Sequence, residues 1–278
     1  MFTVSAFGDE IADDLNEQLD VLRRLAIRYL ELRSAWGTNV VQLEDAQVAA
    51  IARVCQHYGV GVSCLCSPVG KSSITEPIET ELANLQRLVD IARALGTSAI
   101  RVFSFYPPDG ADAWLERSIA RLARLAEIAE TAGLRLLLEN DKHLVGDTPE
   151  RCAALLRGVN SPALRFVWDP ANFVQVGVAQ PTDRGWPLLA DYVAHVQIKD
   201  AHLVDGRVTP AGQADGQVPE LVAHLREVGY QGFLALEPHL VIAGHSGGFS
   251  GPEGMATAAE ALRGILSAAH APEDVSAR

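Results

Sequence analysis

The chain has 278 residues, and 48% of them are hydrophobic, enough to bury a large core. Its 23 basic and 35 acidic residues leave a net charge of −12. That sign argues against a partner held by its phosphate backbone, because such binding depends on Lys and Arg. It argues equally against anionic membrane surfaces. The four cysteines, Cys55, Cys64, Cys66 and Cys152, do not look like the disulfide framework of a short secreted chain. Cys64 and Cys66 lie two apart in an apolar run and share one strand face, so they are expected as buried free thiols. No apolar run approaches a membrane span. Residues 1–9 lack a basic leader segment and reach Asp9-Glu10 early, so a cytoplasmic protein is expected.

In chain order, a short apolar run at 3–7 comes first. Leu15, Leu19, Leu22 and Leu25 follow at helical spacing, then a second run at 29–32. Gly59 stops a helical stretch ahead of the run 60–66. Leu82, Leu85, Leu88, Val89, Ala92 and Leu95 mark a helix that Gly96 ends, before 98–103. Ile119, Leu122, Leu125 and Ala129 mark the next, which Gly133 ends before 134–139. Thr148-Pro149-Glu150 is a helix start: Thr caps, Pro takes the first helical position and an acid sits in the first turn. Runs at 164–168 and 192–198 follow, with a short, weak helix near 186–190 between them. Gly229 precedes the last run, 232–237, and a helix around 255–268 brings the helix count to eight.

Short apolar runs without alternation suit strands covered on both faces. Strict β-then-α order predicts a parallel sheet. Eight units without a domain-sized linker predict a single α/β (β/α)8 TIM barrel. The first strand is not followed by Gly-x-Gly-x-x-Gly, which counts against a dinucleotide fold. Residues 1–270 are read as one catalytic barrel and 271–278 as a disordered tail.

Barrel active sites form where strands run into the βα loops. Strand 5 ends at Glu139, strand 6 at Asp169 and strand 8 at Glu237, and strand 7 presents Gln197 and Lys199. Three carboxylates and an amide thus converge from four consecutive strands. Unpaired, the acids would repel one another and lose solvation. A divalent cation resolves both costs, and carboxylate and amide oxygens suit Mn²⁺ or Mg²⁺, with Co²⁺ and Zn²⁺ as further options. The alternative is that each acid caps a strand or pairs with a nearby base such as Arg101 or Lys199.

Asp9-Glu10 after strand 1, Tyr29-Leu30-Glu31-Leu32-Arg33 on strand 2 and His195-Val196-Gln197-Ile198-Lys199-Asp200 on strand 7 resemble patterns of the xylose-isomerase-like barrel superfamily. The likeness covers nearly the whole chain. The run His-Val-Gln-Ile is similar to hydroxypyruvate isomerases within that group. The resemblance implies one metal ion on Glu139, Asp169, Gln197 and Glu237. It also implies Glu139 and Glu237 as the proton-transfer pair, in a sugar, sugar-phosphate or hydroxy-keto acid isomerase or epimerase working through a metal-stabilised enediolate. A small carbohydrate would be the substrate, and a homodimer is a family-level expectation. Glu31, Arg33, Lys71, Arg101, His143, Asn172, Lys199 and His202 are candidates to bind substrate. The stretches 69–73 and 244–251 are candidate phosphate loops, although 69–73 lacks the first Gly of a phosphate-binding glycine loop. Phosphorylated and free substrates both stay open. Two other readings remain: a metal-dependent dehydratase of the inosose or dehydroshikimate type, and a non-catalytic carbohydrate-binding barrel. An abasic-DNA endonuclease on this barrel would need many His ligands and a basic face, and the chain has 8 His and the charge of −12.

Overall fold

The computed structural model describes residues 1–240, 250–271 and 273–274. Eight parallel strands close on themselves: β1 (Thr3–Phe7), β2 (Tyr29–Leu32), β3 (Gly61–Leu65), β4 (Ala99–Val102), β5 (Arg135–Glu139), β6 (Leu164–Trp168), β7 (Val193–Ile198) and β8 (Phe233–Leu236). β8 returns to β1 in the register Thr3↔Phe233 to Ala6↔Leu236, which closes the barrel. The strands fall within the eight apolar runs read from the sequence.

Among the described residues nine α-helices surround the barrel: α1 (Leu15–Arg24), α2 (Asp45–Tyr58), α3 (Glu79–Leu95), α4 (Leu115–Ala132), α5 (Pro149–Val159), α6 (Pro170–Gln175), α7 (Pro181–Leu189), α8 (Val218–Glu227) and α9 (Gly251–Ala268). The expected count of eight omits α6. This helix follows β6 at once, capped by Asp169 and opened by Pro170, and its six residues are too few to show a periodic stripe. The weak helix expected near 186–190 is the end of α7, which starts earlier, at Pro181. Thr148 accepts a hydrogen bond from the Arg151 N–H, and Pro149 takes the first turn of α5, as its sequence predicts.

The strands separate two cores. Side chains pointing outward join one large cluster with the helices. Side chains pointing inward form a smaller one: Phe7, Cys64, Cys66, Leu137, Val167 and Ala235. The segment after α9 is anchored as far as it is described. Ala271 is buried, Glu273 pairs with Phe2 in a parallel bridge and with Arg263 Nε at 2.7 Å, and the Asp274 N–H donates to the Phe2 carbonyl at 2.7 Å.

The loop after β3 is set by one backbone contact. Gly70 has φ +85°, and a Cβ built on it would lie 2.0 Å from the Phe103 carbonyl oxygen. Its N–H donates to Glu81 on α3, and its carbonyl accepts from the Phe105 N–H. Only glycine fits both the conformation and the approach. Gly70→Ala is expected to destabilise the protein by roughly 2–4 kcal/mol in urea unfolding. A loss below about 0.5 kcal/mol would show that the loop relaxes freely.

Candidate active site

Positions at and just past the C-terminal ends of the strands gather acids and bases around one cavity. Alternation along β7 points His195, Gln197 and Lys199 to the same side. The β8 register pairs Gln197 with Ala235, which brings Lys199 beside Glu237. Lys199 Nζ lies 2.8 Å from Asp169 Oδ2 and 3.2 Å from Glu237 Oε2. On β4, Arg101 Nη1 lies 3.0 Å from Glu139 Oε2. Arg33, just past β2, spreads its guanidinium over three acids: Asp9 at 2.7 Å, Glu10 at 2.9 Å and Glu237 at 2.8 Å. Arg33 and Arg101 both stand over the ring of Phe7, at 5.0 and 5.5 Å, so an aromatic face forms the floor.

Glu139, Asp169 and Glu237 are buried, and each offers an oxygen within 4.8 Å of the others. Gln197 Nε2 donates to Glu139 Oε2 at 3.0 Å, and its Oε1 is buried with no hydrogen-bond partner. A carboxylate only accepts, so this contact fixes which end of the amide faces it. Hard-ion donors with an orphaned buried oxygen among them fit a divalent cation. The chain also supplies its own counter-charges, because the Arg101 and Lys199 pairings weighed from the sequence both form. The cations and the donor set thus share the same acids.

The acids are not equivalent. Burial pushes Glu139 up to about 7, with Arg101 opposing and Glu237 and Asp141 adding to the rise. Burial acts the same way on Glu237, but Lys199, His239 and Arg33 outweigh it and hold that carboxyl well below the usual range. Burial also raises Asp169, against Lys199.

The cavity above these groups measures about 460 Å³. Arg33, Lys71, Arg101, His143, Asn172 and Lys199, all singled out in the sequence, line it with Glu139 and Glu237. Lys71 Nζ pairs with Asp141 at 2.7 Å. Asn172 donates through Nδ2 to Glu139 Oε1 at 3.2 Å and to the Asn140 carbonyl at 2.9 Å, so its amide positions the site from below. His143 is exposed at the rim. Two candidates lie elsewhere. Glu31 is turned into the barrel interior, bonded to Ser5, Ser63 and Cys66. His202 sits in the loop after β7, its N–H bonded to the Arg207 carbonyl, and does not line the cavity. Of the two candidate phosphate loops, 69–73 has its Gly70 N–H committed to Glu81, and 244–249 of the other lies outside the described residues.

Sequence reasoning assigned no site role to Glu10 and His239. Glu10 is fully buried and accepts from Arg33, the His239 N–H at 3.1 Å and Ser250 Oγ at 2.9 Å. His239, at φ 45°, places Nε2 3.3 Å from both Glu10 and Glu237. Applying the strand-end rule to β1 would have found Glu10. Nothing local signals the backbone turn that brings His239 back.

Residues 19–265 match the family model described as the xylose isomerase-like TIM barrel. The chain belongs to this family. It is 28% identical over 165 residues to a human protein described as a putative hydroxypyruvate isomerase, covering 55% of this chain and 58% of that one. The chain spans about half the length of the curated relatives it matches. Among solved structures, the IOLI protein with a bound zinc atom superposes with TM-score 0.78 at 16% identity, covering 95% of this chain and 98% of that one. A D-tagatose 3-epimerase-like protein gives 0.77 at 16% identity, covering 96% and 98%. At such identities these two show the fold. No helix among the described residues is long and apolar enough to cross a membrane.

Burial raises Glu10 from 4.5 to about 7, with Arg33 opposing and Glu237 adding. A raised carboxyl stabilises the fold fully below its unfolded value and loses that contribution as pH rises through the folded one. Glu10→Gln, which stays neutral, is therefore expected to gain on wild type between about pH 5 and pH 8, by on the order of 2 kcal/mol. Thermal unfolding with a chelator present measures this. A difference that stays flat with pH would mean that Arg33 keeps Glu10 ionised throughout.

Proposed function

We propose that the protein is a divalent-metal-dependent isomerase or epimerase of a sugar, sugar phosphate or hydroxy-keto acid, with Glu139 and Glu237 as its proton-transfer pair. The observation that carries this is the grouping of three buried carboxylates, one of them bonded by Gln197, whose amide oxygen is buried and unpartnered. Glu139, Asp169, Gln197 and Glu237 would hold the ion. Bound there, Mn²⁺ or Mg²⁺ supplies positive charge beside a substrate carbonyl and its neighbouring hydroxyl, which acidifies the C–H between them.

The chain's own groups do the rest. Glu237, held ionised by Lys199, His239 and Arg33, is suited to take the proton. Glu139, across the site and paired with Arg101, would return one. Two carboxyls with environments that separate their proton affinities are how one site performs both acid and base steps. Lys199, Arg101 and Arg33 are buried or half-buried donors aimed at the same region, so they stabilise negative charge that develops on substrate oxygens. The floor ring of Phe7 and the buried Asn172 exclude water from below. The family match and the named similarity to a putative hydroxypyruvate isomerase support the same chemistry.

The test is proton exchange. With Mn²⁺ and a panel of ketoses, sugar phosphates and hydroxypyruvate in D₂O, deuterium is expected to enter the carbon beside the carbonyl, and chelation is expected to stop it. Glu139→Gln and Glu237→Gln are each expected to cut turnover by about 10²–10⁴-fold while circular dichroism stays unchanged. Near-wild-type activity in either variant would remove it from the pair. Gln197→Ala is expected to weaken Mn²⁺ binding in calorimetry, and an unchanged Kd would remove Gln197 from the ligand set.

A further inference from the structure

Beneath the carboxylate centre lies a second group of buried heteroatoms that the proposed chemistry does not use. Glu31 ends β2, Cys64 and Cys66 lie on and just past β3, and His195 lies on β7. All four are at most 3% exposed. Glu31 and the two cysteines each offer an atom within 4.8 Å of the others. Glu31 Oε2 lies 3.3 Å from Cys66 Sγ. His195 Nε2 lies 3.2 Å from Glu31 Oε1, and no group meets it with hydrogen-bond geometry.

The arrangement follows from an irregularity in the sheet. The β2–β3 register runs Tyr29↔Gly61 and Leu30↔Val62, then jumps to Glu31↔Cys64. The extra residue is Ser63. A bulge re-aims the side chains beside it, and here Ser63 and Cys64 both reach Glu31. Ser63 and Ser5 donate to Glu31 Oε1 at 2.6 Å each, which fixes the carboxylate in the manner of groups that orient a metal ligand.

We propose that Glu31, Cys64 and Cys66 form a zinc site inside the barrel, separate from the carboxylate centre above. Two thiolates and a carboxylate are three of the S and O donors that Zn²⁺ takes, and the His195 imidazole, 3.2 Å from Glu31 Oε1, stands next to them. Without an ion the Cys66 thiol is neutral, because burial, with the adjoining Cys64 adding, pushes it well above its ordinary value. Ligation deprotonates a thiol outright. On binding, two S–H bonds break, two protons leave to solvent and two S–Zn bonds form, with no change in oxidation state. Two thiolates and one carboxylate exceed the ion's charge by one. Arg101, which donates to the Cys66 carbonyl at 3.3 Å, stands beside that surplus. The ion would tie β2 to β3 under the floor of the cavity.

The test is the spectrum of protein expressed in zinc-depleted medium with cobalt. A thiolate-to-cobalt charge-transfer band in the near ultraviolet is expected from this site, and a centre of carboxylates and an amide cannot give one. The band is expected to persist in the Glu139→Gln/Glu237→Gln double variant and to vanish in Cys64→Ser/Cys66→Ser, which should also lose one zinc per chain by elemental analysis. If that double variant does not fold, Cys64→Ala alone is expected to weaken the band, while Cys55→Ala leaves it intact. A wild-type protein that takes up cobalt without the band overturns the zinc site and leaves the proposed function standing. A band untouched by Cys64→Ala overturns it as well. A band without any Mn²⁺-dependent exchange would support the zinc site and count against the function.

Discussion

The mouth of this barrel is governed by the cost of burying like charges. Glu10, Glu139, Asp169 and Glu237 are almost fully buried, and the last three crowd within 4.8 Å. An uncompensated carboxylate in such a place gives up its charge. The chain answers with cations from different strands: Arg33 beyond β2, Arg101 on β4 and Lys199 beyond β7. None of these pairings is local, so the charges balance only when the barrel closes. Closure and site assembly are therefore one event, and the β1–β8 seam that completes the sheet also brings Glu10, Arg33 and Glu237 together.

That balance is uneven, and the unevenness is chemically useful. Lys199, Arg33 and His239 all converge on Glu237, whereas Arg101 alone pairs with Glu139. Two glutamates of the same intrinsic acidity end up shifted in opposite directions. The same cations share their acids with the donor set around Gln197. An ion placed there would compete with Lys199 for Asp169 and Glu237.

The fold was legible because it is written in local pattern. Apolar runs recur eight times, four of them after a glycine stop at Gly59, Gly96, Gly133 or Gly229, and each strand end could be read as a position in the mouth. Arg101 and Lys199 were legible as partners of the acids because they lie on the same strand faces. Legibility failed where direction depends on backbone detail or on distant segments. Glu31 looked like a mouth residue by its place at the end of β2, yet a bulge in β3 surrounds it with Ser63, Cys64 and Cys66 and draws it inward. His239 reaches Glu10 through a left-handed turn and a contact across 229 residues of chain. α6 was invisible because six residues cannot display a period of 3.6.

The barrel interior is thus layered by chemistry. Hard oxygen donors and cations face the cavity. One layer deeper, soft sulfur and an imidazole surround a single carboxylate. Phe7 and Arg101 stand between the two layers. Arg101 touches both, through Glu139 above and the Cys66 carbonyl below. A change in charge on the lower layer would be felt at that guanidinium and so at Glu139, because a buried medium screens poorly. Cys64 and Cys66, expected from the sequence as buried free thiols, are both buried and free, and Arg101 joins their layer to the acid above.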